Sequence, residues 1–384
     1  MAQQQRNMRG SSFLVVTALV LVLANCIDTC HCFSIQTKSL PILTPSEADS
    51  STKFDFDIGC VANPVILPPT STSSEWQCYY YGNPGSWNGG RKCFLPTGSC
   101  GLAISRDGLE WSKVPGNEEQ GAILTPSSVS GSWDSVHLGV GDVIRVGQDQ
   151  LHMYYFGAND EELAVGPPPG IIGLRMRIGR AISRDNGRTW IKDDDYLLDY
   201  DESEGLFASW PRIVTFDDSR PWKMYYHSFN GNKWRVFGAE SKDGGESWTR
   251  TGLVVEGSEE EGAFDSAGIG TRAVVQWRDG WLMIYEGVDS SSKHSLGAAY
   301  CSDLSKNEWT KLNDGQPILQ PGEGPLGAWT QQVIGTPFVV SMPDASLRLY
   351  HCAKDSPDGK MAIGVLVSET GNIEPDCWTA CTPS

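Results

Sequence analysis

Hydrophobic and polar positions succeed one another along this chain in a repeating order. An almost unbroken apolar run comes first, then a polar turn, then a second run that usually closes on tyrosine, then a hairpin rich in Asp, Gly and Asn. The order occurs five times. The paired runs are VANPVIL with QCYYYG (Val61 to Gly82), GVGDVIRV with LHMYYFG (Gly139 to Gly157), SWPRIVTF with WKMYYHS (Ser209 to Ser228), GTRAVVQW with WLMIYEG (Gly270 to Gly287), and GTPFVVSM with LRLYHC (Gly335 to Cys352). An unbroken apolar run suits a strand buried on both faces, and alternation suits one buried on a single face. The hairpins GLAISRDGLEW, GRAISRDNGRTW, GAESKDGGESW and GAAYCSDLSKNEW each end in Trp, and the fifth unit's terminal hairpin lacks it. A unit of this size cannot bury its faces alone, so the units must stack round an axis.

The predicted fold is therefore all-β, a five-bladed β-propeller of four-stranded antiparallel blades with Asp-box-like hairpins. The blades fall at about 54–116, 133–195, 204–255, 264–315 and 327–384. Ring closure requires the last blade to be completed by the segment before Cys60 or by the tail GNIEPDCWTACTPS. No helix-period segment follows the first 32 residues.

Length and composition agree with this reading. The 384 residues are 40% hydrophobic, with 14 Trp, 12 Tyr, 42 Gly and 22 Pro, enough for a large core built from short strands and tight turns. Net charge is −17 with no Lys/Arg cluster, which excludes a nucleic-acid partner and favours neutral or cationic ones. Arg6 and Arg9 precede the apolar run FLVVTALVLVLA, too short to span a bilayer comfortably. Residues 1–32 are expected to be a signal peptide or targeting presequence cleaved between Ala24 and Cys32, with a signal anchor as the minor alternative. Residues 33–53 read as a linker, and 54–384 as the propeller. The expected destination is the secretory pathway, extracellular or vacuolar. A Phe followed by Ser and Thr after such a segment also resembles a two-part plastid presequence, so the plastid is the alternative. No membrane association is expected once the presequence is removed.

Eight cysteines follow the presequence: Cys60, Cys78, Cys93, Cys100, Cys301, Cys352, Cys377 and Cys381. Their even number permits disulfides, with Cys93–Cys100 closing a local loop and Cys377 or Cys381 tied to Cys60 or Cys78. Buried thiols are the alternative. No spacing fits a zinc site, and neither a GxGxxG after a strand nor a P-loop is present, so no organic cofactor is implied. A structural Ca²⁺ on the axis remains open.

Asp107, Asp185 and Asp243 are expected to accept hydrogen bonds from their own turns, and Trp111, Trp190, Trp248 and Trp309 to wedge between neighbouring sheets. In unit count, strand wording and the hairpins SRDNGRTW and SKDGGESW, residues 54 to 374 resemble the five-bladed propellers of glycoside hydrolase families 32 and 43, the invertase, levansucrase and arabinanase group. The resemblance implies an axial funnel in which three carboxylates act as nucleophile or base, as stabiliser and as general acid. At the first of these positions the family has Asp before Pro, whereas this chain has Asn63 before Pro64. Asp142 is available on the second unit, one residue beyond the matching position. The third unit has Trp210, Pro211 and Arg212 in place of an acid. Glu286, in YEG, corresponds loosely to the family's acid.

Aligning the units with one another gives further acids in the lead-ins: Asp57, Asp134, Glu204 and Asp265, with Thr330 in the fifth. A ring of carboxylates converging on the axis would raise the pKa of one member, as a general acid requires; capping of each local turn is the alternative. The expected catalytic set is Asp57 or Asp142 as base or nucleophile, Asp134 or Asp265 as stabiliser, and Glu286 as acid. Asn63, His137, Trp210, Arg212, His227 and Arg272 are the expected substrate-binding residues. Trp133 and Trp329 stand at blade entrances, where they would stack on sugars or simply pack. VGPPPG (Val165 to Gly170) is expected to form a stiff rim element.

The expected function is that of a glycosidase acting on a furanoside or related oligosaccharide in the axial funnel; the alternative is a carbohydrate-binding propeller without catalysis, and a sialidase-like enzyme comes third. Sialidases need six blades, three arginines and a Tyr nucleophile, which five units and two candidate arginines do not supply.

Overall fold

A computed structural model describes residues 39–48, 54–71, 73–85, 92–147, 150–164 and 169–381. The expected presequence, and most of VGPPPG, lie outside these residues. The described chain contains no α-helix, only short 3₁₀ turns between strands.

Strands follow one another as antiparallel four-stranded meanders. The first comprises β1 (Cys60–Leu67), β2 (Trp76–Asn83), β3 (Ser99–Ser105) and β4 (Ser112–Val114). β5 (His137–Val146), β6 (Gln150–Ala158), β7 (Arg177–Ser183) and β8 (Ile191–Lys192) form the second. The third is β9 (Ser209–Val214), β10 (Trp222–Phe229), β11 (Trp234–Ser241) and β12 (Thr249–Glu256). β13 (Gly268–Trp277), β14 (Gly280–Val288), β15 (His294–Cys301) and β16 (Thr310–Lys311) follow, touching the third through one parallel bridge, Trp234 to Gly268. The last is β17 (Val333–Ser341), β18 (Leu347–Lys354), β19 (Ala362–Ser368) and β20 (Thr379–Ala380).

The first strands of the meanders meet in cyclic order: β1 with β5, β5 with β9, β9 with β13, β13 with β17, and β17 with β1. Apolar cores lie between neighbouring sheets rather than in one centre. One joins Tyr79 and Val65 to Val140 and Met153, and another joins Tyr350 and Val365 of the last sheet to Ile66 and Tyr80 of the first. This is a propeller-like arrangement, and each sheet buries both faces against its neighbours. Both candidates for closing the last sheet take part. The tail supplies β20, and Leu43 bridges Ile363 farther along the same edge of β19.

The hairpins behave as their composition requires. Asp107 Oδ1 accepts from the amides of Leu109 and Glu110 at 2.8 and 3.0 Å, and Asp185 Oδ1 from those of Arg188 and Thr189 at 3.1 and 2.9 Å. Hydrogen bonds from Ser247 and Ser241 hold the Asp243 carboxyl well below the usual range. Each tryptophan meets a tyrosine of the preceding sheet edge-on: Trp190 on Tyr79, Trp248 on Tyr154, Trp309 on Tyr225, and Trp111 on Tyr350 of the last sheet. Gly187 sits at the hairpin tip with φ +83°, and a Cβ there would run into the Tyr79 hydroxyl.

Two expectations need correction. The fifth unit does carry its tryptophan: Trp378 stands two residues before Ala380 as Trp111 stands before Lys113, after a longer turn, and it is fully buried in the core that contains Ile284. Ile284 takes the tyrosine's place in the fourth sheet. Among the described residues none of the eight cysteines forms a disulfide. Cys93 pairs through its backbone with Ile172, while Cys78 and Cys100 are buried at non-facing positions of β2 and β3.

Candidate functional site

Every first strand is interrupted by a β-bulge at the same level. The register shifts between Ala62 and Val65, Val140 and Asp142, Ser209 and Arg212, Ile269 and Arg272, and Gly335 and Phe338. Asn63, Trp210 and Thr336 occupy the bulge with φ of +53°, +48° and +43°, and each precedes a proline. A left-handed backbone is uncommon outside glycine, and a following proline also disfavours the right-handed helical region. Three such residues at one level mark a place where the scaffold holds strain, as functional sites often do.

At that level a polar cluster links the first strands to one another. The Asn63 amide donates to the Val140 carbonyl and accepts from Arg212 Nη2 at 3.4 Å. Arg212 Nε donates to the Arg272 carbonyl at 2.9 Å, and its guanidinium lies over the Phe338 ring. Arg272 Nη1 lies 3.0 Å from His227 Nδ1, and Nη2 donates to the carbonyls of Trp210 and Tyr225. Asp142 receives the amides of Val143 at 2.9 Å and Ile213 at 2.7 Å, tying β5 to β9. Burial raises its pKa to about 6, against the opposing pull of Arg212. Burial likewise draws Arg212 down to about 10 and, with Arg272 beside it, holds His227 well below its ordinary value.

Trp210 is half-buried and stacks on Phe156, with ring centroids 4.0 Å apart, and on His227 at 5.2 Å. His137 is drawn into the neighbouring loop, where Nε2 meets the Gly173 carbonyl at 2.7 Å, and burial lowers its pKa to about 4. Asn63, Asp142, Trp210, Arg212, His227 and Arg272 thus form one cluster, and His137 stands outside it.

Glu286 lies between the bulges of β13 and β17 and is linked to Asn63 through Thr336, whose hydroxyl accepts from the Asn63 backbone amide at 3.3 Å. It accepts from the Thr271 hydroxyl, from His294 Nδ1 at 2.6 Å and from the Thr336 amide at 3.1 Å. These donors outweigh burial and hold Glu286 below its ordinary pKa, the opposite of what a general acid needs.

The lead-in acids do not converge on the axis; each is locked inside its own sheet. Asp57 accepts from Tyr80 at 2.9 Å and Lys113 at 2.6 Å; Asp134 from Tyr155 at 3.2 Å and Lys192 at 2.5 Å; Asp265 from Tyr285 at 3.3 Å and Lys311 at 2.6 Å. Glu204 receives Tyr226 at 2.8 Å and pairs with Arg250 at 3.3 Å. The fifth sheet replaces the whole set with Thr330, His351 and Ala380. Trp133 and Trp329 stack on Tyr155 and His351 of the same sheets, so they pack.

The lock was readable as a repeated Trp-x-Lys/Arg, at 111–113, 190–192, 248–250 and 309–311. His294, Thr271 and Thr336 carried no such signal, because their meeting depends on strand register and on contact between sheets. Among the described residues no group of three or more His, Cys, Asp or Glu is placed to hold a metal ion.

No known family's sequence profile matches the chain, and no curated protein sequence does. Solved structures share its fold. A glycosyl hydrolase from Bacteroides ovatus shares 17% identity at a TM-score of 0.61, covering 89% of this chain and 96% of that one. A thermostable family-43 glycoside hydrolase shares 17% at 0.59, covering 87% and 96%. Sucrose-6-phosphate hydrolase from Lactobacillus gasseri shares 13% at 0.60, covering 88% of this chain and 62% of its own. The chain has the fold of the propeller glycoside hydrolases.

Proposed function

We propose that this chain, built on the fold of the propeller glycoside hydrolases, is a five-bladed propeller that binds a furanoside or related oligosaccharide at the axial mouth without cleaving it. The observation that carries this reading is the Asn63 side chain. It stands where the resembling enzymes have an acid, and its amide is engaged on both sides by Val140 and Arg212. Hydrolysis of a glycosidic bond needs two carboxyl groups facing the scissile bond, one to protonate and one to attack or activate water. Here Asp142 is bonded to two backbone amides and Glu286 is held ionised by three donors. Trp210 is half-buried with its ring held between Phe156 and His227, so the part left open is a fixed aromatic edge against which a sugar can pack.

A hydrolase is the second reading, favoured by the Asp142 pKa of about 6, which suits a proton donor. Binding and product release are measured together on arabino-, fructo-, xylo- and galacto-oligosaccharides. Binding without turnover, weakened by Trp210→Ala, is the expected result. Turnover abolished by Asp142→Asn or Glu286→Gln would replace the binding reading with the enzyme. The presequence directs this binding protein to the secretory pathway or, in its two-part form, to a plastid; a fluorescent fusion of residues 1–53 distinguishes the two.

A further inference from the structure

Where the chain leaves one sheet for the next, it turns back and lays a leucine on the start of the third strand. Leu124 bridges Cys100 of β3, Leu198 bridges Ile178 of β7, and Leu319 bridges Leu296 of β15. In each case the strand residue donates to the leucine carbonyl, at 2.9, 3.0 and 2.9 Å, and the residue before the leucine donates back, at 2.9, 2.7 and 2.8 Å. On β19 this place belongs to Leu43. The Ile363 amide donates to its carbonyl at 2.9 Å and the Ile42 amide donates back at 2.7 Å, so a segment ahead of the first sheet supplies what the tail would otherwise have to supply.

The next contact along the segment is repeated as well. Gly322, three residues beyond Leu319, donates to Thr330 Oγ1 in the lead-in of the fifth sheet at 3.1 Å. Ser258, three beyond the Val255 that pairs with Val236 of β11, donates to Asp265 Oδ1 at 3.0 Å. Ser46, three beyond Leu43, donates to Asp57 Oδ1 at 3.1 Å, and its hydroxyl accepts from Lys113 at 2.9 Å. The sequence carries the same repeat, since Ile-Leu-Thr-Pro-Ser stands at 42–46 and again at 123–127, with Ile-Leu-Gln-Pro-Gly at 318–322. The other end of the segment is fixed by Ser39, which is fully buried; its amide donates to the Pro325 carbonyl at 2.9 Å and its carbonyl accepts from Trp329 Nε1 at 3.0 Å.

We propose that residues 39–46 are the fifth-to-first connection of the ring, a strap that belongs to the mature propeller, and that the peptidase removing the leader hydrolyses a peptide bond upstream of Ser39. The expected linker over residues 33–53 therefore gives way to the propeller at Ser39. A cut farther along would strip Leu43 from the core it shares with Tyr80 of the first sheet and Val365 of the last, and would leave the Ile363 amide and carbonyl without partners. The tail does not replace the strap, because β20 pairs only with Leu366 and Val367. This inference concerns closure of the ring and stands whether or not the mouth binds a sugar.

The test has two arms. The full chain is expressed through the secretory route of a eukaryotic host, and the N-terminus of the folded product is sequenced; a start at Ser39 or upstream is expected, and a start anywhere beyond Ser39 would overturn the proposal. Thermal unfolding then compares three alanine variants of the full chain. Leu43 and Leu124 are 5% and 3% exposed, so Leu43→Ala and Leu124→Ala should each lower Tm by on the order of 5 °C, whereas Leu40→Ala, at a position 56% exposed, should leave it nearly unchanged. A loss in Leu43→Ala closer to that of Leu40→Ala than to that of Leu124→Ala rules the strap out as a constituent of the ring. Should either buried-site variant fail to fold, hydrogen exchange on the wild-type protein decides. The Ile42 amide should exchange within tenfold of the rate of the Ile123 amide, its counterpart between the first and second sheets, and faster exchange than that would show a segment merely resting on the surface. Sugar binding that persists in a protein whose strap fails these tests would defeat this inference alone.

Discussion

The Trp111 ring meets Tyr350 edge-on, with centroids 6.3 Å apart and planes at 79°, across the seam where the last sheet of the ring touches the first. The same pair repeats at three other junctions, but only here does it join residues from opposite ends of the propeller. The seam is further held by Arg348 and Tyr350, which donate to the carbonyls of Asp107 and Gly108.

Trp111→Ala is expected to loosen this seam. A fully buried aromatic truncated to alanine costs about 3–5 kcal/mol, and half-buried Trp111 should cost about 2 kcal/mol by the same reckoning. Trp378→Ala, at a fully buried position, should reach the upper range. Urea denaturation of both variants checks the order; equal losses would show that burial does not set the effect.

The carboxylate locks predict a steep asymmetry. Lys192→Met leaves Asp134, 2% exposed, without its cation, and breaking a buried pair this way costs about 3 kcal/mol or more. The double variant Asp134→Asn, Lys192→Met removes both charges and should recover part of the loss. A double-mutant cycle by denaturant unfolding measures the coupling, and simple additivity would argue against the lock.

The Glu286–His294 pair gives a pH signature. Hydrogen bonding and charge from Glu286 raise His294 above its ordinary 6.5 despite burial, so its contribution is complete below 6.5 and fades as pH rises through the higher folded value. Glu286 is held below its ordinary 4.5, so its contribution is complete above 4.5 and fades as pH falls through the lower folded value. The stability gap between wild type and His294→Gln is therefore expected to be widest between pH 4.5 and 6.5 and to narrow in alkali. A gap that grows steadily with pH would reverse the assignment.

Thiol chemistry tests the cysteine arrangement. Burial pushes Cys100 up to about 12 and raises Cys78 and Cys352 further, so these should resist a thiol reagent in the native protein. Cys377 and Cys381, which are partly exposed, should react first. Peptide mapping without reductant that recovered a Cys93–Cys100 disulfide would contradict this arrangement.

The repeats explain what could be read in advance. Apolar runs and Asp-Gly hairpins are local signals, so the strands, the turn-capping role of Asp185 and the wedging of Trp190 were legible from residues a few places apart. Asp134 and Lys192 stand 58 positions apart, and an acid repeated in every lead-in looks the same in sequence whether it faces the axis or its own sheet. Asn63 was legible as a departure from a DP motif. Its double engagement by Val140 and Arg212 was not, because it depends on how three separate sheets are rotated about the axis. His294 was missed for the same reason, since it reaches Glu286 only through the pairing of β14 with β15.

The contact between residues near 40 and the last sheet also sets the timing of folding during synthesis. Trp329 Nε1 donates to the Ser39 carbonyl, 290 positions away in sequence. Ribosomes add about 5–20 residues per second, so Ser39 waits roughly 15–60 s after it is made before Trp329 exists to hold it. During that interval the earlier sheets can stack in order while the first keeps one bare face. The nascent ring is therefore most exposed to aggregation at Ile66, Trp76 and Tyr80, the residues that the last sheet finally covers.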